Sequence, residues 1–209
     1  MKTCLLFPAL LLLGGCLSQS DPAHIYILNA PKTSPAAQQV ARDLEVVAPT
    51  AAPGLSTDRI ALKHSPTSFD YYADSRWPSP LPEMVQATIV KTLEQQAVAT
   101  SVTNDEIPTA ADDILSISIQ DFQAEYMGND AAPVVHVTLS AKLSDAATQK
   151  VFGTFISTSS VKAGANSMEQ IVAAFDESFQ KSLLDLSNHV AALLAQKPSV
   201  GSTDTLQNK

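Results

Sequence analysis

Apolar residues recur along the chain with two periods, and the change from one to the other separates strands from helices. Val135, Val137, Leu139, Ala141 and Leu143 alternate with His136, Thr138, Ser140 and Lys142. That period of two gives a strand one buried and one wet face. Residues 151–161 follow a turn at 144–150, and the pair reads as an antiparallel hairpin. Upstream, Leu115, Ile117 and Ile119 alternate with Ser116, Ser118 and Gln120, and beyond Gln120-Asp121 the phase flips to Phe122, Ala124 and Tyr126. A one-residue slip with alternation intact on both sides is what a β-bulge produces. Shorter runs at residues 24–28, 44–46, 58–63, 69–72 and 101–104 predict further strands. Pro31 and Pro35 place a loop over 29–39, and Gly128-Asn129-Asp130 turns the chain.

Two segments change to the helical period. Leu81, Val85, Ile89 and Leu93 recur every four residues with Met84 and Thr88 beside them, which predicts an amphipathic helix to about residue 97. Ser79 fits its cap, Pro80 its first position and Glu83 its positive end. The second stripe, Ile171, Phe175, Phe179, Leu183, Leu186, Val190 and Leu193, follows an S-x-x-Q capping box at Ser167 and Gln170 and stops at Lys197-Pro198. The fold class this predicts is α+β: a twisted, mainly antiparallel sheet with two long amphipathic helices packed on one face. There is no internal repeat.

The N-terminus carries a different pattern. Lys2 precedes an apolar run at residues 5–13, then Leu13-Gly14-Gly15-Cys16. A run this short does not cross a hydrocarbon core, which needs about 20 residues, but it fits the apolar region of a secretory signal. Small residues before the cut let a peptidase approach the backbone, since glycine has no Cβ. Residues 1–15 are therefore read as a signal peptide ending in a lipobox, and Cys16 as the residue that becomes acylated. A plain signal peptide that happens to contain a cysteine is the blander alternative. Residues 16–23 form a short tether, 24–197 a single domain, and 198–209 a polar tail.

Composition narrows the function classes. With Cys4 removed in the signal and Cys16 acylated, the folded body has no cysteine for a disulfide or a thiolate metal site. Without Lys2 the chain has 12 basic against 21 acidic residues, a net charge of −9. Such a surface repels nucleic acid and anionic headgroups, so membrane attachment is expected through acyl chains alone.

No motif in the sequence argues for catalysis. His24, His64, His136 and His189 lie scattered, without metal-ligand spacing, and His136 falls on the wet phase of its strand. Ser159-x-x-Lys162 and Ser178-x-x-Lys181 spell a serine-lysine pattern but lack its partner motifs. The neighbours Asp112-Asp113 and Asp176-Glu177 point apart in a strand or helix, so neither pair makes a two-carboxylate site. No enzyme activity, metal or cofactor is expected beyond the lipid on Cys16. One cluster stands out: Tyr71, Tyr72, Arg76 and Trp77, residue types enriched where partners bind. A partner or lipid contact is one reading; Trp77 plugged against the sheet at the entry to the first helix is the other.

The ordered series of Cys16, Tyr26-Ile27-Leu28, Asp58-Arg59-Ile60, Tyr72-Ala73, Arg76-Trp77, residues 114–119, the 135–143 hairpin and the closing helix resembles the ABC-type transport auxiliary lipoprotein family, the PqiC-like lipoproteins that accompany MCE-type lipid transport systems. The likeness spans about residues 20–195; where family members more often carry Ala and an acidic residue after the Trp, this chain has Pro78-Ser79-Pro80. The resemblance implies a non-catalytic auxiliary or docking subunit of a transporter moving lipids or other hydrophobic cargo between inner and outer membranes. Its implied partner is an MCE-domain protein, with a homo-oligomeric ring as one arrangement. Leu17 after the cysteine implies the periplasmic face of the outer membrane. A free-standing lipid- or ligand-binding envelope lipoprotein is the alternative.

Overall fold

The computed structural model describes residues 22–36, 39–106, 110–128 and 132–197. The signal peptide, Cys16, Leu17, the Asn129-Asp130 turn and the 198–209 tail lie outside the described residues.

The chain runs β1 (His24–Ile25), β2 (Val40–Val46), β3 (Thr50–Ala51), β4 (Arg59–Ser65), β5 (Ser68–Arg76), α1 (Leu81–Gln95), β6 (Ala99–Asn104), β7 (Asp113–Glu125), β8 (Val134–Asp145), β9 (Val151–Lys162) and α2 (Met168–Ala195). β7 is the axis of one large, open, mixed sheet. Along one edge it pairs antiparallel with β8, which pairs antiparallel with β9. Its other edge is shared in turn by β2, β3 and β4, all parallel to it. β6 extends the sheet beyond β2, while β5 and then β1 extend it beyond β4. The α+β class is the one expected, with the longest pairings antiparallel. The short parallel pairings are the new feature, since alternation fixes which face a residue takes but not the direction of the neighbouring strand.

The bulge falls where the phase flips: Ile119 pairs with Leu139 and Asp121 with Thr138, leaving Gln120 as the extra residue. Phe122 is thereby turned into the core, where it stacks on Phe175 at 5.6 Å and meets Phe179 edge-on at 5.4 Å. Without the slip, Phe122 and Ala124 would point to the opposite face. The stripes of both helices close over this layer; Leu81, Val85, Ile89, Leu93, Ile171, Phe175, Phe179, Leu183, Leu186 and Val190 are all buried. Each such side chain contributes about 1.5–3 kcal/mol.

Local details differ from the sequence reading for identifiable reasons. α1 starts at Leu81, and neither Ser79 nor Pro80 makes a side-chain cap. The Leu81 N–H instead donates to the Thr57 carbonyl at 3.0 Å, so a neighbouring loop satisfies the helix end. At α2, Ser167 is the cap residue in position, yet the capping box is not made. Gln170 turns to Gly164, where an added Cβ would stand 2.5 Å from its Oε1. In the last turn Leu194 takes the buried position, while Leu193 fills the space left by Gly153. The first strand pairs over only His24–Ile25, whereas β2 and β5 extend beyond their expected cores.

A charge cluster joins the ends of three strands to the end of α2. Asp113 is fully buried and accepts from Arg42 Nε and Nη2 and, at 2.6 Å, from Lys197 Nζ. Lys197 also reaches Asp145 at 3.2 Å and lies 4.1 Å from the centre of the Phe152 ring. The neighbouring Asp112 turns the other way and accepts the Asp43 N–H at 2.9 Å. The backbone N–H and hydroxyl of Thr148, with Lys197, hold the Asp145 carboxyl well below the usual carboxylate range. A depressed carboxyl adds stability that is complete above its unfolded value, about pH 4, and is lost as pH falls toward the folded value. Acid titration of Asp145→Asn followed by circular dichroism should accordingly show a shallower loss of stability below about pH 4 than the parent chain shows.

Candidate functional site

The Tyr71–Trp77 segment is shaped by an irregularity in the β4–β5 pair. Ala61 pairs with Tyr71 and Arg59 with Arg76, so β5 carries three residues more than β4 over the same length. The excess is taken up between Tyr72 and Ser75, where Asp74 adopts φ 51°, a left-handed conformation tolerated best by Gly, Asn and Asp. β1 runs parallel along the outer edge, with His24 opposite Ser75 and Ile25 opposite Arg76, and the Tyr26 N–H donates to the Arg76 carbonyl at 2.9 Å. Between this segment and the bulge lies a cleft of about 630 Å³ lined by Pro22, Ala23, Arg59, Tyr72, Asp74 and Arg76, among others.

The four flagged side chains do not form one patch. Tyr71 donates through its hydroxyl to the Gly54 carbonyl at 2.9 Å and carries the Arg59 guanidinium 3.9 Å from its ring centre. Gly54 is needed there, with φ 86° and a would-be Cβ 2.8 Å from the Phe69 ring. Tyr72 lies 3.0 Å from the Tyr126 hydroxyl, which itself donates to Asn166 Oδ1 at 2.8 Å. Tyr72 is therefore the donor to Tyr126. Burial and that bond push its phenol well above the ordinary tyrosine value. Arg76, 47% exposed, makes two 3.0 Å contacts to Asp58. In solvent such a pair adds little stability.

Trp77 leaves the patch altogether. It is 2% exposed and meets Phe175 at 5.4 Å and Phe122 at 6.1 Å, both edge-on. Its backbone N–H donates to the Asp58 carbonyl at 2.7 Å, which swings the chain inward at the end of β5. The ring belongs to the core, as a plug at the entry to α1, and has no surface to offer a partner. The structure adds Arg59 and Asp74 to the cleft instead. Asp58-Arg59 stands out in the sequence as a charged pair at a strand start, but nothing in the sequence marks Asp74 as the bulge residue.

Other flagged residues fall elsewhere. His136 is hydrogen-bonded to Ser160 Oγ at 2.8 Å and lies 3.8 Å from Glu125. Ser178 is buried, while Lys181 binds Glu177 at 2.6 Å on the solvent side of the helix, so that serine and lysine do not meet. Asp176 turns to the Asn29 N–H at 2.7 Å, away from Glu177. Among the described residues, no three His, Cys, Asp or Glu side chains gather as a metal site.

The fold, an open mixed sheet with two long helices, resembles those of solved proteins. The crystal structure of protein XCC0632 from Xanthomonas campestris superposes with a TM-score of 0.77 at 23% identity, covering 83% of this chain and 98% of that one. An uncharacterized protein gives 0.63 at 15% identity, covering 81% and 99%. These likenesses concern the fold alone. No curated protein matches the chain. The family described as ABC-type transport auxiliary lipoprotein component matches residues 26–186, and the chain belongs to it. It is thus an auxiliary lipoprotein of the envelope, in a family associated with ABC-type transport.

Proposed function

We propose that the protein is a non-catalytic docking subunit of an ABC/MCE-type system moving lipid between inner and outer membranes, anchored through acylated Cys16 to the periplasmic face of the outer membrane. The observation that carries this reading is the family match over residues 26–186, next to a sequence that puts a lipobox immediately before the matched region. Three further features support it. Two or three acyl chains, at about 0.8 kcal/mol per buried CH2, hold a domain on a bilayer durably. Pro22 follows Cys16 by only six residues, so the folded body stays close to that bilayer. The edge around β5 carries Tyr71, Tyr72 and Arg76, whose residue types recur at protein contacts.

Affinity capture of the acylated protein from solubilised membranes, under conditions that keep MCE complexes intact, is expected to recover an MCE-domain protein with its ATPase and permease. Recovery of none of the three would remove the docking role. The same sample on a sizing column tests the ring, for which a single high-mass species is expected.

A further inference from the structure

The cleft beside β5 holds two opposite charges that, among the described residues, have no ion-pair partner. Among the described residues Arg59 and Asp74 form no salt bridge, although Asp58 pairs with Arg76 nearby. Arg59 lines the cleft, and its guanidinium is held 3.9 Å from the centre of the neighbouring Tyr71 ring. Asp74 stands at the turn of the three-residue bulge in a backbone conformation that favours Gly, Asn or Asp. Bulges of this kind re-aim side chains beside binding sites. The volume, about 630 Å³, lies in the range of small-ligand clefts.

The cleft's place on the molecule identifies the occupant. Pro22 and Ala23 form one wall, and Cys16 stands six residues earlier, so an acyl group on that cysteine lies within about 20 Å of the rim even with the chain fully extended. The chain leaving the cleft exposes Ile25 at the end of β1 and Ile27 just beyond it, at 58% and 64%, where the anchored chain meets the body. An exposed apolar pair next to an acyl anchor matches the headgroup–acyl boundary of a bilayer. The chain's net charge of −8 works against anionic lipid. A headgroup carrying both signs escapes that repulsion and meets both free charges.

We infer that this cleft binds the headgroup of a zwitterionic glycerophospholipid with a primary ammonium, its phosphate on Arg59 and its ammonium on Asp74. The site seats the domain, edge down, on the membrane that carries its own anchor. The inference rests on the anchored-lipoprotein reading for its geometry, but binding itself needs neither acyl chain nor transporter. Failure here and failure of the docking role therefore give separate results.

The test uses the full chain with Cys16→Ser, titrated below the micelle concentration with dihexanoylphosphatidylethanolamine and, separately, dihexanoylphosphatidylglycerol, followed by calorimetry and by the amide resonances of residues 72–76. Saturable binding of the ethanolamine lipid, tighter than the glycerol lipid, is expected. Arg59→Gln should weaken it about tenfold, the loss of one charge-assisted contact, while Arg59→Lys keeps most of the affinity. Asp74→Asn, which suits the left-handed backbone, should abolish the preference between the two lipids. Thermal melts of the three variants should match the parent. Absence of saturable binding, equal affinity of the parent for both lipids, or affinity unmoved by Arg59→Gln in a folded variant would overturn the inference.

Discussion

Replacing Trp77 by alanine is expected to lower the stability of the folded protein by about 3–5 kcal/mol, the usual range for emptying a buried tryptophan site. For a domain of this size that is a fall of roughly 6–20 °C in the thermal midpoint. The magnitude follows from what the ring touches. Trp77 lies edge-on to Phe122 from β7 and Phe175 from α2, so it ties the end of β5 to the central strand and the long helix together. Such pairs add about 0.5–1.5 kcal/mol beyond the area they bury. Collapse around the void is restricted because Phe122 and Phe175 stack on each other and Phe122 is also held by Phe179. A melt of Trp77→Ala coinciding with that of the parent would refute the core assignment and return Trp77 to the partner surface.

Asp113→Ala should destabilise by a comparable amount, about 3–5 kcal/mol, through a different mechanism. The side chain removed is small, but it is the counterion that Arg42, 5% exposed, and Lys197 share. Truncating it leaves Arg42 and Lys197 with only the partly exposed Asp145 as a shared counterion, and breaking such a set costs far more than the intact set contributes. The effect should not reproduce that of a cavity. Adding Arg42→Met and Lys197→Met to Asp113→Ala should recover most of the loss, whereas no second substitution of this kind rescues a void. Chemical denaturation of the single and triple variants measures both; a single variant within about 0.5 kcal/mol of the parent would mean the cluster is solvated and weak.

These two sites also mark how far the sequence could be read. Period and phase located every major strand and both helices, including the slip at Gln120, because alternation records which side chains must be dry. The Arg42–Asp113–Lys197 cluster was invisible for the same reason. Asp113 sits on the dry phase of β7 but is polar, and its partners come from 71 positions before and 84 positions after it. No local pattern encodes such a meeting. Strand direction was equally hidden: β2, β3 and β4 line up parallel along one edge of β7, a matter of tertiary assembly. The start of α1 lies one residue later than the pattern implied, because a neighbouring loop, through the Thr57 carbonyl, does the work of a cap. In the candidate site, the aromatic and arginine residues of β5 were conspicuous by type. Their separation was not, because a three-residue bulge sends Tyr71 and Tyr72 to different partners and Trp77 into the core. Arg59 and Asp74 entered the site only through that bulge.

Acylation of Cys16 is the step proposed to make this acidic domain a fixed part of the envelope. Labelling cells with radioactive palmitate while they express the parent chain and Cys16→Ser tests it most directly. Label on the parent, none on Cys16→Ser, and release of Cys16→Ser from the outer-membrane fraction are the predicted results. An unlabelled parent, with both chains fractionating alike, would contradict the account.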